Sequence, residues 1–305
     1  MTNAVTLEQI KQVKSLGFLH NKGTDRFNGR IITANGKITA EQMVAIAEAA
    51  KKYGNGEVEF TTRLSIEVRG IRFADIEPFR NFVSQAELET GGTGPLVRPI
   101  VSCKGTTCQF GLYDTFALSQ KIYELFYKGY HTVKLPHKFK ITVGGCPNNC
   151  VKPTLNDVGI TGQLVPNVHT EMCRGCKKCQ VEAACPVHVA KLKDGFIDID
   201  PKSCLHCGRC VGKCPFHVIE KGTPGFLISI GGRWGKKIAQ GQPLQKLLTS
   251  EEEVLAMVEK AILLFRDQGS TGERFSDTIA RLGFENVQQQ LFSDELLKRK
   301  QEIIS

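Results

Sequence analysis

All twelve cysteines of this 305-residue chain lie between Cys103 and Cys214, with none in the first 102 residues or the last 91. A disulfide framework ties together the termini and loops of a small secreted chain. A central block of thiols with long cysteine-free flanks points instead to cofactor ligation. The spacings sort eight of the twelve into two triplets each with a remote Cys-Pro, and the other four into two close pairs. The chemistry implied is electron transfer.

Eight of the twelve form a repeat. Cys173-Arg-Gly-Cys176-Lys-Lys-Cys179, followed by Cys185-Pro186, recurs 31 residues later as Cys204-Leu-His-Cys207-Gly-Arg-Cys210, followed by Cys214-Pro215. This resembles the bacterial two-cluster ferredoxin pattern. A tight Cys-x2-Cys-x2-Cys turn directs three sulfurs onto one cube, and the fourth corner is reached by the cysteine of the other repeat. One set is then Cys173, Cys176, Cys179 and Cys214, and the other Cys204, Cys207, Cys210 and Cys185. Zinc also uses Cys-x2-Cys pairs, but it takes two pairs rather than two triplets each with a remote Cys-Pro. Five residues separate Cys179 from Cys185 where three are usual; the extra length predicts a bulged loop near the second cluster. His188, His206 and His217 flank these cysteines and read as loop residues, since the ligand count is already complete.

The remaining four, Cys103-Lys-Gly-Thr-Thr-Cys108 and Cys146-Pro-Asn-Asn-Cys150, resemble the signature of the sirohaem-dependent sulfite and nitrite reductases. The resemblance implies a 4Fe–4S cluster on Cys103, Cys108, Cys146 and Cys150, with Cys150 also the axial ligand of the sirohaem iron. It extends to Leu135-Pro-His-Lys138-Phe-Lys140, to Thr61-Thr-Arg63-Leu and to Arg98, five residues before Cys103. In that family these segments carry the substrate-binding cations, here Arg63, Arg98, Lys138 and Lys140. Four such cations around an open axial position would bind an oxyanion and supply protons as its oxygens leave as water. Each alone is an ordinary surface charge; their combination with the cysteine set carries the reading. Lys104, Thr106, Thr107, Gln109 and Asn149 lie beside cluster ligands, where they would bond the sirohaem rim or the cluster sulfurs. The resemblance also places Arg233 and Lys236, in Gly231-Gly-Arg233-Trp-Gly-Lys236-Lys237, against the tetrapyrrole carboxylates; a solvated basic turn is the alternative.

These residues need elements to hold them. Arg30–Thr33, Glu57–Thr62 and Leu64–Gly70 read as strands, and Thr39-Ala-Glu-Gln42 as a capping box opening a helix to about Tyr53. Phe73–Ser84 reads as helical, and Gly91-Gly-Thr-Gly94 as a flexible boundary. Val97–Val101, Lys140–Val143, Val158–Leu164 and Phe226–Ile230 follow as strands, Phe116–Tyr130 and Glu251–Phe265 as helices, with two more helical stretches at the end. The fold class is therefore α+β. A ferredoxin-like α/β unit spans 1–92 and a sirohaem-binding α/β domain spans 93–167 and 223–305. The two-cluster ferredoxin module is inserted over 168–222.

The formal charge of +9 is spread along the chain without a polybasic run, so nucleic acid is not the expected partner. No apolar run is long enough to span a membrane and no signal peptide opens the chain, which points to a cytoplasmic address. Among family members, the resemblance is strongest to the catalytic polypeptide (type C) of anaerobic sulfite reductase and to small dissimilatory-type enzymes. It implies six-electron reduction of sulfite to sulfide, with electrons relayed through the ferredoxin clusters. No nicotinamide or flavin fingerprint is evident, so the implied donor is a flavoprotein subunit or a soluble ferredoxin. One copy of the α/β repeat, where long relatives carry two, implies a homo- or hetero-oligomer. Nitrite reduction to ammonia and a non-catalytic electron-transfer subunit remain open as alternatives.

Overall fold

A computed structural model of the protein describes residues 5–305. Residues 1–4, the start of a mixed polar stretch that the sequence offers as a helix candidate, lie outside that range. Two capping boxes open the leading helices. Thr6 and Gln9 start α1 (Leu7–Lys14), and Thr39 and Gln42 start α2 (Ala40–Tyr53), each hydroxyl accepting the backbone N–H that its partner's side chain repays. Strands β1 (Phe18–His20), β2 (Arg26–Ile32), β3 (Val58–Phe60), β4 (Ile66–Arg72) and β5 (Glu89–Thr90) form an antiparallel sheet ordered β1-β2-β4-β3, with β5 on β2. Alternate residues of β2 turn inward, so Phe27 and Ile31 join Phe18, Ile46, Ile66 and Phe79, the last from α3 (Ile76–Ser84), in one core. Strand β2 begins four residues before the expected Arg30, because Arg26 and Phe27 pair with Arg72 and Ile71.

The glycine segment at 91–94 is not the flexible boundary expected. Gly91, Gly92 and Thr93 are buried; Gly91 N–H donates to Arg30 O at 3.1 Å, and the Thr93 hydroxyl donates to Lys14 O. A Cβ on Gly92 would lie 2.8 Å from Pro99. These glycines allow backbones to approach closely.

The second sheet runs β12-β11-β8-β7-β6. Its strands β6 (Val101–Ser102), β7 (Ile141–Gly144) and β8 (Val158–Pro166) are parallel and almost wholly buried. Such strands are continuous apolar runs because both faces are covered. Strand β6 is shorter than the expected Val97–Val101, since Pro99 has no N–H for the ladder; Val97 makes an isolated bridge to Phe139. The helix after β6 keeps α form only over α4 (Thr115–Ile122), then widens to a π-helical turn at Tyr123–Lys128.

From the end of β8 the chain enters the cysteine-rich segment. Asn167 N–H donates to Lys221 O and His169 N–H to Val218 O, so departing and returning chains stay paired. The segment holds α5 (Gln180–Ala184), the hairpin β9 (Ala190–Lys193) and β10 (Phe196–Ile199), and its own small core of Val181, Ala190, Ile197, Val218 and Ile219. The five residues after Cys179 form helix α5 rather than the expected bulge. Strand β11 (Gly222–Ile230) then pairs antiparallel with the full length of β8, followed by β12 (Gln242–Pro243). Helix α6 (Glu251–Gln268) is buried along nearly all its second half, and α7 (Phe275–Leu282), α8 (Phe284–Phe292), α9 (Glu295–Lys298) and α10 (Lys300–Ile304) close the chain. Among the described residues no helix is long and apolar enough to cross a membrane.

Candidate active site

Because β6, β7 and β8 are parallel, the segments entering them meet at one end of the sheet. Arg98 precedes β6 and its N–H donates to Phe139 O at 2.7 Å; Lys138 and Lys140 lead into β7; Asn156 and Asp157 lead into β8. Lys140 N–H donates to Asp157 Oδ2 at 2.9 Å, and Val158 N–H returns to Lys140 O at 3.0 Å. Arg63 arrives from the first unit on a turn closed by Thr61 and Ser65, whose hydroxyls lie 2.7 Å apart. Its Nη1 donates to Asn156 Oδ1 and its Nη2 to Pro99 O, both at 2.9 Å. Arg98 Nη1 and Arg30 Nη1 both donate to Gly92 O, which explains why the glycine segment is fixed. The four expected cations are therefore brought together. Sequence reasoning missed three members of the group: Asn156, the fully buried Asp157, and Arg274, whose Nη2 donates to both Asp157 oxygens at 3.2 Å. A single Asp before an apolar strand and an Arg far along the chain carry no local signal.

Crowding perturbs the cations. Burial, then Arg63, Lys138 and Arg274, pushes Lys140 down to about 8. Burial, then Arg274 and Arg98, lowers Lys138, and burial brings Arg63 and Arg98 each down to about 10. His137 is lowered by burial and by the same cations, and its Nδ1 accepts the Lys138 N–H at 2.7 Å, as neutral imidazole does. Asp157 is raised by burial, against the opposing pull of Arg274 and the Lys140 N–H. The Nε groups of Arg63, Arg98 and Arg274 are buried without a partner. An unmade hydrogen bond of this kind costs about 1–3 kcal/mol, so each of the three is a donor with hydrogen-bonding capacity to spare. Beside them opens a cavity of about 670 Å³ whose walls include Lys14, Arg98, Lys134, His137, Lys138 and Arg266, with no Asp or Glu in its lining.

The first four cysteines meet at the opposite end of the same strands. Cys103 N–H donates to Val143 O at 3.1 Å, and Gly145 N–H donates to Cys103 Sγ at 3.2 Å. Burial, then Cys103, Cys150 and Cys108, raises the Cys146 thiol. Four sulfurs gathered at one end of the sheet suit an iron cluster. Cys150 is the exposed one of the four, which suits a sulfur shared with a second group. Cations and cysteines stand at opposite ends of the strands: five residues from Arg98 to Cys103 and six from Lys140 to Cys146, at ~3.3 Å each, put their backbones up to roughly 16–20 Å apart.

The other eight cysteines line two small cavities. Cys173, Cys176, Cys179 and Cys214 line one, and Cys185, Cys204, Cys207 and Cys210 the other, the crossed pairing that the repeat predicts. Among the described residues no three Cys, His, Asp or Glu side chains converge closely enough to share one metal ion. The second cage lies against the main sheet, where Leu164 N–H donates to His206 O at 2.7 Å and His206 Nδ1 lies 3.0 Å from Gln163 Oε1.

The expected rim residues divide. Lys104, Thr107, Gln109 and Asn149 are all exposed beside the cysteine set. The Thr106 hydroxyl is already committed, donating to Asp114 Oδ1 at 2.6 Å where Asp114 caps α4. Arg233 sits at the cation end and pairs through Nη1 with both Asp277 oxygens at 2.8 and 2.7 Å, while Lys236 is exposed with Trp234.

Comparison with known proteins places these features. Residues 93–300 match the nitrite and sulphite reductase 4Fe–4S domain, and residues 20–83 the nitrite/sulfite reductase ferredoxin-like half domain. The chain is 30% identical over 263 residues to the coenzyme F420-dependent sulfite reductase of Methanocaldococcus jannaschii, covering 85% of this chain and 41% of that one. It is 25% identical over 274 residues to the alpha polypeptide of the dissimilatory-type sulfite reductase of Allochromatium vinosum, covering 83% of this chain and 66% of that one. The chain thus spans less than two thirds of the length of these two relatives. The crystal structure of dissimilatory sulfite reductase I superposes with a TM-score of 0.70 at 22% identity, over 87% of this chain and 69% of that one, a likeness of fold.

Proposed function

From the premise that the chain belongs to the nitrite and sulphite reductase family, we propose that it reduces sulfite to sulfide. Hydrogensulfite would take up six electrons and six protons to give hydrosulfide and three waters. The observation that carries the reading is the gathering of Arg63, Arg98, Lys138 and Lys140 around one buried carboxylate, with three guanidinium N–H groups left without partners. A non-catalytic relay has no use for such a pocket. The four cations also match the three oxygens of hydrogensulfite better than the two of nitrite.

Cys103, Cys108, Cys146 and Cys150 would hold a 4Fe–4S cluster, with Cys150 shared with a sirohaem. When bound, that coupled pair would supply the electrons and the iron at which the substrate sulfur is held. The chain's own contribution is electrostatic and protic. Arg63 and Arg98 keep their charge at neutral pH and orient the substrate oxygens. Lys140, at about 8, gives up a proton from Nζ more readily than an ordinary lysine, as does Lys138.

The inserted module, 168–222, would carry two further clusters in the order that the docking geometry supports. The Cys185/Cys204/Cys207/Cys210 cage lies against β8, on the side of the first cysteine set. The Cys173/Cys176/Cys179/Cys214 cage would then face the donor, a flavoprotein subunit or soluble ferredoxin. The separation of cations from cysteines along the strands favours a site completed by a second copy, whose cysteine end faces this chain's cation end.

An anaerobic absorption spectrum with iron counted, before and after sulfite, tests the reading. A tetrapyrrole band that shifts with sulfite, beside about 12 cluster irons and one haem iron, is expected. Cluster absorption without that band in fully loaded protein would leave only an electron-transfer role.

A further inference from the structure

We propose that Asp157 and Arg274 are a positioning pair for Lys140, Asp157 fixing the lysine backbone and supplying negative charge beside its ammonium while Arg274 holds the Asp157 carboxylate. The inference rests on the site reading above. Asp157 is wholly buried, accepts the Lys140 N–H through Oδ2 at 2.9 Å, and receives Arg274 Nη2 on both oxygens at 3.2 Å. Its own backbone O accepts the Gly231 N–H at 2.9 Å, so strand and carboxylate are held independently. Arg274 precedes α7, and one turn further on Asp277 grips Arg233. The start of one C-terminal helix therefore ties together the basic loop and the substrate lysine.

The charges that act on Lys140 come from four places: Arg63 on the first unit's turn, Lys138 on its own segment, Arg274 before α7, and Asp157 before β8. Three are positive and one negative. Arg98, Arg233 and His137 lie in the same cluster, and none adds negative charge. A carboxylate in that place offsets the crowding that drives the lysine proton off. Removing it leaves Lys140 with cations alone.

The test is trace acetylation of the cofactor-loaded protein across pH, reading Lys140 by peptide mass spectrometry. Asp157→Asn keeps an acceptor for the Lys140 N–H and removes the charge together with one of the two oxygens that accept from Arg274. The labelling midpoint is expected to fall by about one pH unit or more, and the alkaline limb of sulfite turnover to fall with it, at unchanged iron and tetrapyrrole content. Asp157→Asn with Arg274→Gln removes one charge of each sign and is expected to bring the midpoint back toward wild type. An unmoved midpoint in folded Asp157→Asn protein, or a double variant lower than the single, would overturn the pairing. Should Asp157→Asn not fold, Arg274→Gln alone is expected to raise the midpoint, and a fall or no change counts against the proposal. Labelling needs no turnover, so a chain that failed to reduce sulfite would refute the function while leaving this pair testable.

Discussion

Replacing Gly111 by Ala tests how the first cysteine set is assembled. A Cβ at Gly111 would lie 1.8 Å from the carbonyl oxygen of Gly105 and 2.7 Å from its carbonyl carbon. Carbon and oxygen tolerate roughly 3.3 Å, so the two backbones must part by about 1.5 Å. No rotamer relieves the clash, because both obstructing atoms are main chain. Gly105 has nowhere to retreat: a Cβ on it would already meet Thr115 Cγ2 at 2.5 Å and Gly145 Cα at 3.1 Å. Leu112 N–H is meanwhile tied to Gly145 O at 3.0 Å. The Cys103–Cys108 loop must therefore move away from the Cys146 turn. Metal-site distances tolerate only about ±0.2 Å, so a shift of that size breaks the four-sulfur set. Overpacking costs roughly 1–3 kcal/mol, less than the ~5–15 kcal/mol that holds a folded domain, so the fold should persist. Iron is then expected to fall from about 13 to about 8 per chain, with the tetrapyrrole band gone and the two module clusters intact. Full iron content with an unchanged spectrum in the Ala variant would refute this account of the packing.

Other expectations follow from the same geometry. Cys150→Ser should lose the tetrapyrrole and its cluster yet keep the module clusters; a surviving tetrapyrrole band would remove Cys150 as the shared ligand. Lys140 carries its charge below about pH 8 and loses it above, so turnover should decline through that pH, and Lys140→Met should abolish that limb; an unchanged profile would detach the limb from Lys140. Arg63→Lys cannot replace two Nη donors 2.9 Å from Asn156 Oδ1 and Pro99 O; turnover should drop about a hundredfold at constant iron content. Arg274→Met leaves Asp157 buried without its cation and should destabilise the fold by about 3–5 kcal/mol in denaturant titrations at neutral pH.

Local chemistry was legible in the sequence and long-range partnership was not. The Thr39–Gln42 capping box and α2 could be read from adjacent residues, because a cap is a contact within four positions. The grouping of Cys214 with the first triplet and Cys185 with the second around two cavities is what the repeat suggests, because the repeat encodes a symmetry. The four cations were found by resemblance, since nothing in the character of Lys138 or Arg63 separates them from surface charges. Asp157 and Arg274 escaped both routes; each acquires its role only when β8 and the start of α7 come together. The glycines at 91–94 misled for the complementary reason. Glycine signals either freedom or close approach, and only the packing of Gly92 on Pro99 decides between them.

The distance between the two halves of the site leads to a last prediction. Arg98 and Cys103 stand on either side of β6, and Lys140 and Cys146 on either side of β7, so the strands themselves hold cations and cysteines apart. A symmetric pair of chains, each presenting its cysteine end to the other's cation end, resolves this with two equivalent sites. Variants that damage opposite ends should then complement each other. Cys150→Ser supplies intact cations, and Lys138→Met with Lys140→Met supplies an intact cysteine set; each alone should be inactive. Mixed in equal amounts under conditions that exchange subunits, half the pairs contain one of each variant. Each such pair has one site built wholly from undamaged parts, so recovery should approach roughly a quarter of wild-type turnover. A mixture with no recovered activity, in a preparation whose mass distribution shows that exchange occurred, would mean that each site is built within a single chain.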